Sequence, residues 1–387
     1  MISYGKQSID QSDLDSVIEV LKSDWLTQGP AVDKFEEELN NYFGSSYCSV
    51  VSNGTAALHL AGLALGWGPD DIIITTPITF LASSNCIIYT GARPEFVDIN
   101  PKDFTIDVDL LEQKIKKLLS KNKKVKAIIA VDFAGQPCNW IALREIADKF
   151  DIKLINDNCH ALGASYFDDK KYAIKYADIV TQSFHPVKHI TTGEGGAVLT
   201  NHSETNDKIK LLRTHGITKS NDKLGKYDGP WYYEMQDLGY NYRITDFQCA
   251  LGISQLKKLD NFVNKRRDIA DVYHRKLSEI DHLSLPFTRP EVKHAYHLYP
   301  LQIDFNSQPN SKADFFEKMY QSGINLQVHY IPVHLQPYYQ KNYSYKHGDF
   351  PISENFYLNE VSIPIYPNLS ESGQQRVIDS IKNNVKF

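Results

Sequence analysis

The segment Ser183-Phe184-His185-Pro186-Val187-Lys188 joins a short apolar run to the Gly-rich turn Gly193-Glu194-Gly195-Gly196. Runs of the same kind, short and rich in Ile and Val, recur along the chain and predict strands at residues 49–52, 71–75, 93–98, 127–133, 153–157, 179–183 and 197–200. Helical patterns, such as the one at residues 140–150, lie between them. We therefore expect an α/β fold with a mostly parallel central sheet that is covered by helices on both faces.

The pattern changes after about residue 256. Helical patterns at residues 256–280 and 311–322 there alternate with isolated strands at 297–303 and 361–365. This predicts a large domain over residues 1–255 and a smaller α+β domain over residues 256–387. Before the change, residues 218–229 are polar and Gly-rich, and Trp231-Tyr232-Tyr233 follows them. A lid over a binding site and an ordinary surface loop both fit this segment.

Composition and charge limit the classes of function. The chain has 387 residues and a net charge of −5, which argues against nucleic acid and against an anionic membrane surface as partners. Its five cysteines are widely spaced and mostly set among apolar residues, as is typical of reduced thiols in a cytosolic protein. The first residues lack the apolar core of a signal peptide, and no apolar stretch approaches the length of a membrane span. We therefore expect a soluble, cytoplasmic protein.

One acid and one lysine fall at or just after the ends of predicted strands. Asp157 ends the run at 153–157, and Lys188 follows the run at 179–183. Ligand-binding groups in such sheets gather at the carboxyl ends of the strands. Pyridoxal 5′-phosphate (PLP) enzymes need this pair, because a lysine forms the Schiff base with the cofactor aldehyde and a carboxylate keeps the pyridine nitrogen protonated. Thr79 and Phe80 follow another strand end, which groups them with the pair.

A phosphate site is one interpretation of Ser52-Asn53-Gly54-Thr55, where a predicted strand ends and a helical pattern begins. Small residues in the first turn of a helix leave N–H groups free at the positive end of the helix dipole, where a phosphate can bind. An ordinary capped helix is the alternative. The local sequence leaves both open.

Several motifs occur in a fixed order over nearly the whole chain: Ser52-Asn53-Gly54-Thr55-Ala56-Ala57-Leu58, Asn156-Asp157-Asn158-Cys159-His160-Ala161-Leu162-Gly163, Ser183-Phe184-His185-Pro186-Val187-Lys188, Gly239-Tyr240-Asn241-Tyr242-Arg243 and Val328-His329-Tyr330. In this combination the chain resembles the nucleotide-sugar aminotransferases of the DegT/DnrJ/EryC1/StrS family. Within that family, the amino-acid sequence at residues 131–135, 183–192 and 327–330 is most similar to that of the C4 aminotransferases of pseudaminic acid biosynthesis. The resemblance implies a PLP-dependent transferase of fold type I.

The resemblance also implies a role for each matching residue. Lys188 would be the Schiff-base lysine and the proton carrier, and Asp157 would pair with the pyridine nitrogen of PLP. His160 would hydrogen-bond the phenolic oxygen of the cofactor, at a position where many relatives carry Gln, and Phe80 would lie against the ring. The phosphate would be bound by the following groups: the backbone amides of Gly54, Thr55 and Ala56, the hydroxyl of Ser183 and, from the other subunit of a dimer, Asn241.

On the substrate side, the resemblance implies a homodimer whose active sites are shared between the subunits. Arg243, also from the other subunit, would bind the carboxylate of the amino donor. His329 would contact the sugar from the small domain, and Thr27 would lie in a loop that shapes the sugar pocket. The expected substrates are L-glutamate as the donor and a UDP-4-keto sugar, a UDP-linked 4-keto-6-deoxy-N-acetylhexosamine, that accepts the amino group at C4.

Other functions remain open or are disfavoured. An aminotransferase that acts at C3, or at C4 of a different sugar epimer, fits the same motifs, and so does a non-catalytic relative that binds PLP or a sugar nucleotide. The sugar dehydratases of the family replace the lysine that Lys188 supplies here. A nicotinamide-dependent Rossmann enzyme is disfavoured because no G-x-G-x-x-G follows the first strand. A metal site at His329 and His334 is disfavoured because no acidic or thiol ligand lies near them in the sequence.

Overall fold

The computed structural model of the protein describes residues 1–385. The α-helices are α1 (Gln11–Leu21), α2 (Pro30–Phe43), α3 (Gly54–Ala64), α4 (Ala82–Tyr89), α5 (Val108–Leu119), α6 (Trp140–Phe150), α7 (Tyr172–Tyr176), α8 (Ser203–Leu212), α9 (Asp246–Leu256), α10 (Leu259–Leu277), α11 (Lys312–Gln321), α12 (Pro337–Tyr343), α13 (Pro351–Asn359) and α14 (Glu371–Asn384). The strands are β1 (Tyr47–Val51), β2 (Asp71–Thr75), β3 (Arg93–Phe96), β4 (Lys124–Val131), β5 (Lys153–Asp157), β6 (Ser165–Tyr166), β7 (Ile179–Ser183), β8 (Gly196–Thr200), β9 (Ile217–Thr218), β10 (Glu234–Met235), β11 (Leu283–Ser284), β12 (Val292–Lys293), β13 (Tyr299–Ile303) and β14 (Glu360–Ile363). Within residues 1–385, no helix is both long enough and apolar enough to cross a bilayer.

The central sheet has the strand order β1-β8-β7-β5-β4-β2-β3. From β7 to β3 the neighbouring strands run parallel, whereas β8 is antiparallel to both β1 and β7. The prediction of an α/β fold with a mostly parallel sheet is confirmed. The loop from β7 to β8 contains no helix, so the chain returns antiparallel instead of crossing over the sheet. This loop carries Lys188.

Both faces of the central sheet are covered by helices. In β2, Ile73 lies in the core on the side of α3 and α4, while Ile72 and Ile74 lie in the core on the opposite side. Successive side chains of a strand point to opposite faces, so a strand that is covered twice needs apolar residues throughout. This explains why these strands appear in the sequence as continuous apolar runs.

The observed strands keep close to the predicted ones, and two differences matter for the site. β2, β5 and β7 have the predicted bounds. β1 ends at Val51 because Ser52 leaves the sheet, and its backbone amide donates to the carbonyl of Tyr242 at 2.8 Å. β13 begins at Tyr299 instead of residue 297, so His297 lies in the loop ahead of the strand.

A three-stranded antiparallel sheet, β11-β13-β14, forms a smaller layer in the C-terminal part of the chain. It packs with α10, α11 and α14 around a second core that includes Tyr273, Phe315 and Ile378. Helix α10 contributes to both cores, since Val263 packs in the core of the central sheet and Tyr273 in the second one. The division between residues 255 and 256 remains a prediction.

A long excursion of the chain, residues 217–236, is closed at its base by two glycines. Gly216 has a φ of +68°, and a Cβ atom there would lie 1.8 Å from the carbonyl oxygen of Asp237. A Cβ atom at Gly239 would lie 1.9 Å from the backbone nitrogen of Gly216. Only glycine allows the two backbone segments to approach so closely. The excursion itself is exposed, and the side chain of Trp231 is 71% accessible to solvent.

We expect Gly216→Ala to lower the free energy of unfolding more than Gly348→Ala does. Both glycines have positive φ values, +68° and +93°, so each alanine carries the cost of a left-handed backbone, about 1 kcal/mol. Only at Gly216 does the added Cβ meet backbone atoms, which adds about 1–3 kcal/mol, whereas nothing lies within 4 Å at Gly348. Urea denaturation of the two variants measures the difference. Equal losses would show that the base of the excursion is not tightly closed.

Candidate active site

Asp157 is the last residue of β5 and is buried at the carboxyl end of the central sheet. Its Oδ2 atom accepts a hydrogen bond from Ser83 Oγ at 2.6 Å, and its Oδ1 atom accepts one from the amide of Cys159 at 3.3 Å. Ser83 Oγ is in turn 2.7 Å from Thr79 Oγ1. Hydroxyl and amide donors stabilise the ionised carboxylate and fix its direction. Ser83 was not predicted from the sequence, although it lies in the first turn of α4, the helix that follows β2.

Lys188 lies in the loop between β7 and β8, and its Nζ atom is 3.4 Å from His297 Nε2. Burial lowers the pKa of Lys188, and the neighbouring Cys159 and Asp157 counteract part of that shift. A lowered pKa makes the neutral, nucleophilic amine available at lower pH. Within the described chain, Lys188 and Asp157 form no ion pair with each other.

His160 belongs to the same site. The side chain is 4% exposed, its Nε2 atom is 3.2 Å from the hydroxyl of Tyr330, and its ring centroid is 4.4 Å from that of His297. Burial and the nearby Lys188 hold the pKa of His160 well below its usual range, so the ring is neutral. The Nδ1 atoms of His160 and His297 are buried without a partner in residues 1–385. Buried polar atoms are normally paired, and these two nitrogens fit a site that a bound molecule completes.

The smaller layer contributes His329 and Tyr330 to the site. The backbone amide of His329 donates to Glu360 Oε2 at 2.9 Å, and its Nδ1 atom is 2.8 Å from Ser362 Oγ. Burial, reinforced by Lys188, lowers the pKa of His329 to about 3. The ring of Tyr330 is 6.0 Å from that of Phe80, which is 55% exposed at the mouth of the site.

The backbone of His297 is held by hydrogen bonds from a buried arginine. Arg266 of α10 is 1% exposed, and its Nη1 atom donates to the carbonyl oxygens of Tyr296, His297 and Ile365 at 3.1, 3.3 and 2.9 Å. These bonds join α10 to one end of the smaller sheet, where β13 begins and β14 ends. No sequence pattern pointed to Arg266 or His297, and Tyr330 lies in a recognised motif but was given no role, because the contacts of all three join segments far apart in the chain.

The start of α3 forms a cradle beside Ser183. The side chain of Asn53 accepts a hydrogen bond from the amide of Ala56 at 2.8 Å. The amides of Gly54 and Thr55 have no acceptor among residues 1–385 and are the free donors at this helix terminus. A Cβ atom at Gly54 would lie 2.8 Å from the Cβ of Ser183. Two free amides and a hydroxyl at the positive end of a helix suit a phosphate group.

The structure places three predicted residues apart from this group. Thr27 forms a backbone bridge with Thr245, and Asn241 forms one with Thr214. In the part of the chain that the structure describes, the side chains of Thr27, Asn241 and Arg243 form no hydrogen bond or ion pair with any residue around Lys188. Asn241 and Thr27 are exposed, which leaves them available to another molecule.

His334 does not join His329 in a metal site. Its Nε2 atom is 2.9 Å from Glu354 Oε1, and its ring lies 4.7 Å from that of Phe350, which packs with Phe96 of β3. Among residues 1–385, no three metal-ligating side chains lie together.

Comparisons with known proteins extend over the whole architecture. The model of the DegT/DnrJ/EryC1/StrS aminotransferase family matches residues 7–382. The chain is 40% identical over 385 residues to the UDP-4-amino-4,6-dideoxy-N-acetyl-beta-L-altrosamine transaminase of Campylobacter jejuni, and the match covers 98% of this chain and 96% of that protein.

Solved structures give the same result. PseC of Helicobacter pylori, an aminotransferase involved in the biosynthesis of pseudoaminic acid, superposes with a TM-score of 0.89 at 32% identity and covers 99% of both chains. The PLP-form of Spr1654 from Streptococcus pneumoniae superposes with a TM-score of 0.89 at 28% identity, over 98% of this chain and 97% of that one. The similarity therefore includes both layers and the site between them.

We expect Ser83→Ala to lower kcat for amino transfer by about tenfold while the protein stays folded. The variant loses the hydrogen bond to the Asp157 carboxylate, and a bond to a charged group contributes about 1.5–3 kcal/mol. Steady-state kinetics measures the effect. Ser84→Ala is the matched control, because Ser84 is also buried but does not contact Asp157. The same loss in both variants would mean that the effect comes from packing of α4.

Proposed function

Because the chain belongs to the DegT/DnrJ/EryC1/StrS aminotransferase family, we propose that it moves an amino group from L-glutamate to C4 of UDP-2-acetamido-2,6-dideoxy-β-L-arabino-hex-4-ulose. The coarser statement, a PLP-dependent sugar aminotransferase, follows from the family and from structural neighbours that include a PLP-form. The particular sugar is supported by the similarity to the altrosamine transaminase of C. jejuni. The structural observation that carries the proposal is that Lys188 lies within electrostatic reach of Asp157, after the neighbouring strands β7 and β5, although the two side chains form no ion pair in residues 1–385.

The residues around Lys188 fit the parts of PLP. When bound, PLP supplies an electron-accepting ring and a carbonyl group that carries nitrogen from one substrate to the other. We assign Lys188 Nζ to the attachment of the cofactor, and Asp157, held by Ser83, to its pyridine nitrogen. His160 would hydrogen-bond the phenolic oxygen, and Phe80 would cover the ring. The cradle at Gly54, Thr55 and Ser183 would bind the phosphate, whereas the amide of Ala56 is already engaged by Asn53.

Lys188 is also the group that we assign to proton movement. Both oxygen atoms of Asp157 already accept hydrogen bonds, from Ser83 and Cys159. Burial and the proximity of Lys188 lower the pKa of His297 well below its usual range, so His297 is too weak a base to compete. Lys188 Nζ is thus the basic atom that is left to take a proton from the substrate carbon and return it.

A homodimer with shared active sites is supported by an exposed apolar surface. Soluble monomers rarely expose large contiguous apolar patches. Here the exposed side chains, each at least 48% accessible, are Trp25, Leu26, Phe80, Tyr89, Trp231, Tyr233, Met235 and Leu238. Trp25 and Leu26 immediately precede Thr27, and the last four residues of this group precede Asn241 and Arg243 in the chain. A second copy of the chain would cover this surface and would bring its Asn241 to the phosphate and its Arg243 to the carboxylate of the donor.

Mass spectrometry of reaction products tests the acceptor. The purified enzyme, with glutamate, is offered a panel of UDP- and GDP-linked 4-keto sugars together with a 3-keto sugar. We expect amination at C4 of the β-L-arabino-configured UDP sugar to be the fastest. Faster amination of another epimer, or at C3, would replace the proposed substrate, and retention of the bound PLP absorption in the presence of glutamate would indicate a protein that only binds the cofactor.

We expect Lys188→Ala to fold normally and to lose turnover by several orders of magnitude, because the residue combines attachment and proton transfer. The bound PLP should also lose the visible absorption that depends on its link to the lysine. Lys153→Ala is the control, since Lys153 pairs with Asp178 at the surface. Retention of more than about one per cent of the activity would contradict the assignment of Lys188.

Shared sites are tested by mixing two inactive variants, Lys188→Ala and Arg243→Ala. In a heterodimer, one site carries both substitutions and the other carries none. With random exchange of subunits, about a quarter of the wild-type activity should return. Differently tagged chains verify that exchange has taken place. An exchanged mixture without activity would mean that Lys188 and Arg243 act within the same chain.

A further inference from the structure

A buried chain of hydrogen bonds ends at His329 and has no part in the function proposed so far. Ser362 Oγ is 2.8 Å from His329 Nδ1 and donates to Glu360 Oε1 at 2.5 Å. Glu360 Oε2 accepts a hydrogen bond from the backbone amide of His329 at 2.9 Å. Glu360 and Ser362 are at most 1% exposed. Unlike His329 Nδ1, the Nε2 atom has no hydrogen-bond partner among residues 1–385, and it is accessible to solvent.

The directions of these hydrogen bonds are coupled, because a serine hydroxyl has a single proton. When Ser362 donates to an ionised Glu360, its oxygen must accept from His329, so the histidine proton sits on Nδ1 and Nε2 is an acceptor. When Glu360 is protonated, it donates to Ser362, Ser362 donates to Nδ1, and the histidine proton moves to Nε2. The exposed nitrogen then becomes a donor.

We propose that Glu360, acting through Ser362, is a positioning residue that sets the tautomer of His329 and thereby decides whether the site offers the sugar a hydrogen-bond donor or an acceptor. This inference rests on the proposed function, which assigns His329 to the sugar. In this proposal, His329 Nε2 forms a hydrogen bond with an oxygen atom of the keto sugar. A carbonyl oxygen requires the donor form, whereas a hydroxyl group can bind to either form.

Electrostatics supports a switch of tautomer instead of a change in charge. The pKa of His329 is lowered to about 3, so the ring stays neutral near physiological pH. Burial raises the pKa of Glu360 above its ordinary value, although its hydrogen bonds and the nearby Lys312 act in the opposite direction. As the pH rises through this raised value, Glu360 loses its proton and Nε2 changes from donor to acceptor.

Other ionisable groups face this chain from several elements. Lys312 of α11 approaches Glu360, and burial lowers its own pKa. The ring of Tyr4 lies 5.2 Å from that of His329 in a tilted arrangement, and the ring of Tyr330 lies edge-on to it at 4.9 Å. Burial raises the pKa of both tyrosines, and Lys188 is the cation on the side of the central sheet. Glu360 also raises the pKa of Tyr330, which keeps that hydroxyl neutral, so Lys312 is the charged group that acts on the titration of Glu360.

Glu360→Gln tests the proposal because its geometry is constrained. The amide of His329 requires an acceptor, so the oxygen of Gln must take the place of Oε2 and its NH₂ group must face Ser362. The variant therefore imitates the protonated glutamate at every pH. Glu354→Gln is the matched control, because Glu354 is also a buried glutamate next to a histidine, His334, in a different part of the smaller layer.

The readout is the tautomer of His329 by ¹⁵N NMR of histidine-labelled PLP-bound enzyme, with the signals assigned from a His329→Gln sample. We expect the wild type and Glu354→Gln to change from the Nε2–H to the Nδ1–H form as the pH rises, and Glu360→Gln to keep the Nε2–H form throughout. In parallel, the KM for the keto sugar should rise about tenfold with pH in the wild type and stay flat in Glu360→Gln, while kcat at low pH is unchanged.

The same tautomer at every pH in the wild type, or an unaltered response in a folded Glu360→Gln, would overturn the proposal. If Glu360→Gln fails to fold, Ser362→Ala serves instead, since it keeps the glutamate but breaks the link, and the tautomer should then no longer follow pH. A tautomer that responds as expected in an enzyme that aminates no 4-keto sugar would reject the proposed function and leave the role of Glu360 standing.

Discussion

Two side chains of opposite charge, Asp157 and Lys188, are held close to each other by different partners. Ser83 and the amide of Cys159 donate hydrogen bonds to the carboxylate of Asp157, and the amine of Lys188 contacts His297 Nε2. An ion pair would stabilise the charged lysine and raise its pKa, and it would close the space between the two groups. Without such a pair, burial prevails and the pKa of Lys188 stays below its ordinary value. Ser83 and His297 are thus as necessary to the arrangement as the two charged residues.

Four imidazole rings lie within electrostatic reach of the Lys188 amine. The pKa values of His160, His189, His297 and His329 are all lowered, chiefly by burial, with the cationic Lys188 contributing. Neutral rings can hydrogen-bond a ligand without competing for its protons. Their hydrogen-bonding character is then set by which nitrogen carries the proton, so the partners of each ring become part of its chemistry.

The sequence predicted those features of the fold and the site that depend on one continuous segment of the chain. The strands β2, β5 and β7 have their predicted bounds because buried parallel strands are continuous apolar runs. Asp157 and Lys188 could be located from strand ends, although their roles remain predictions. His297 could not, since its contact with Lys188 joins residues 109 positions apart and depends on how the smaller layer docks. Nothing in the sequence distinguished Glu360 from other polar residues at the ends of strands. Its burial and its hydrogen bond from the amide of His329 are visible only in the folded structure.

Helix α10 passes from one hydrophobic core into the other. Leu259, Phe262 and Val263 belong to the core of the central sheet, and Ile269 and Tyr273 belong to that of the smaller layer. Each residue of an α-helix advances it by about 100° and 1.5 Å. Inserting or deleting one residue between Val263 and Ile269 would therefore swing His297 and His329 away from Lys188. The length of this span is therefore a stricter requirement of the fold than its sequence is, since a substitution there leaves the two cores in register and a change in length does not.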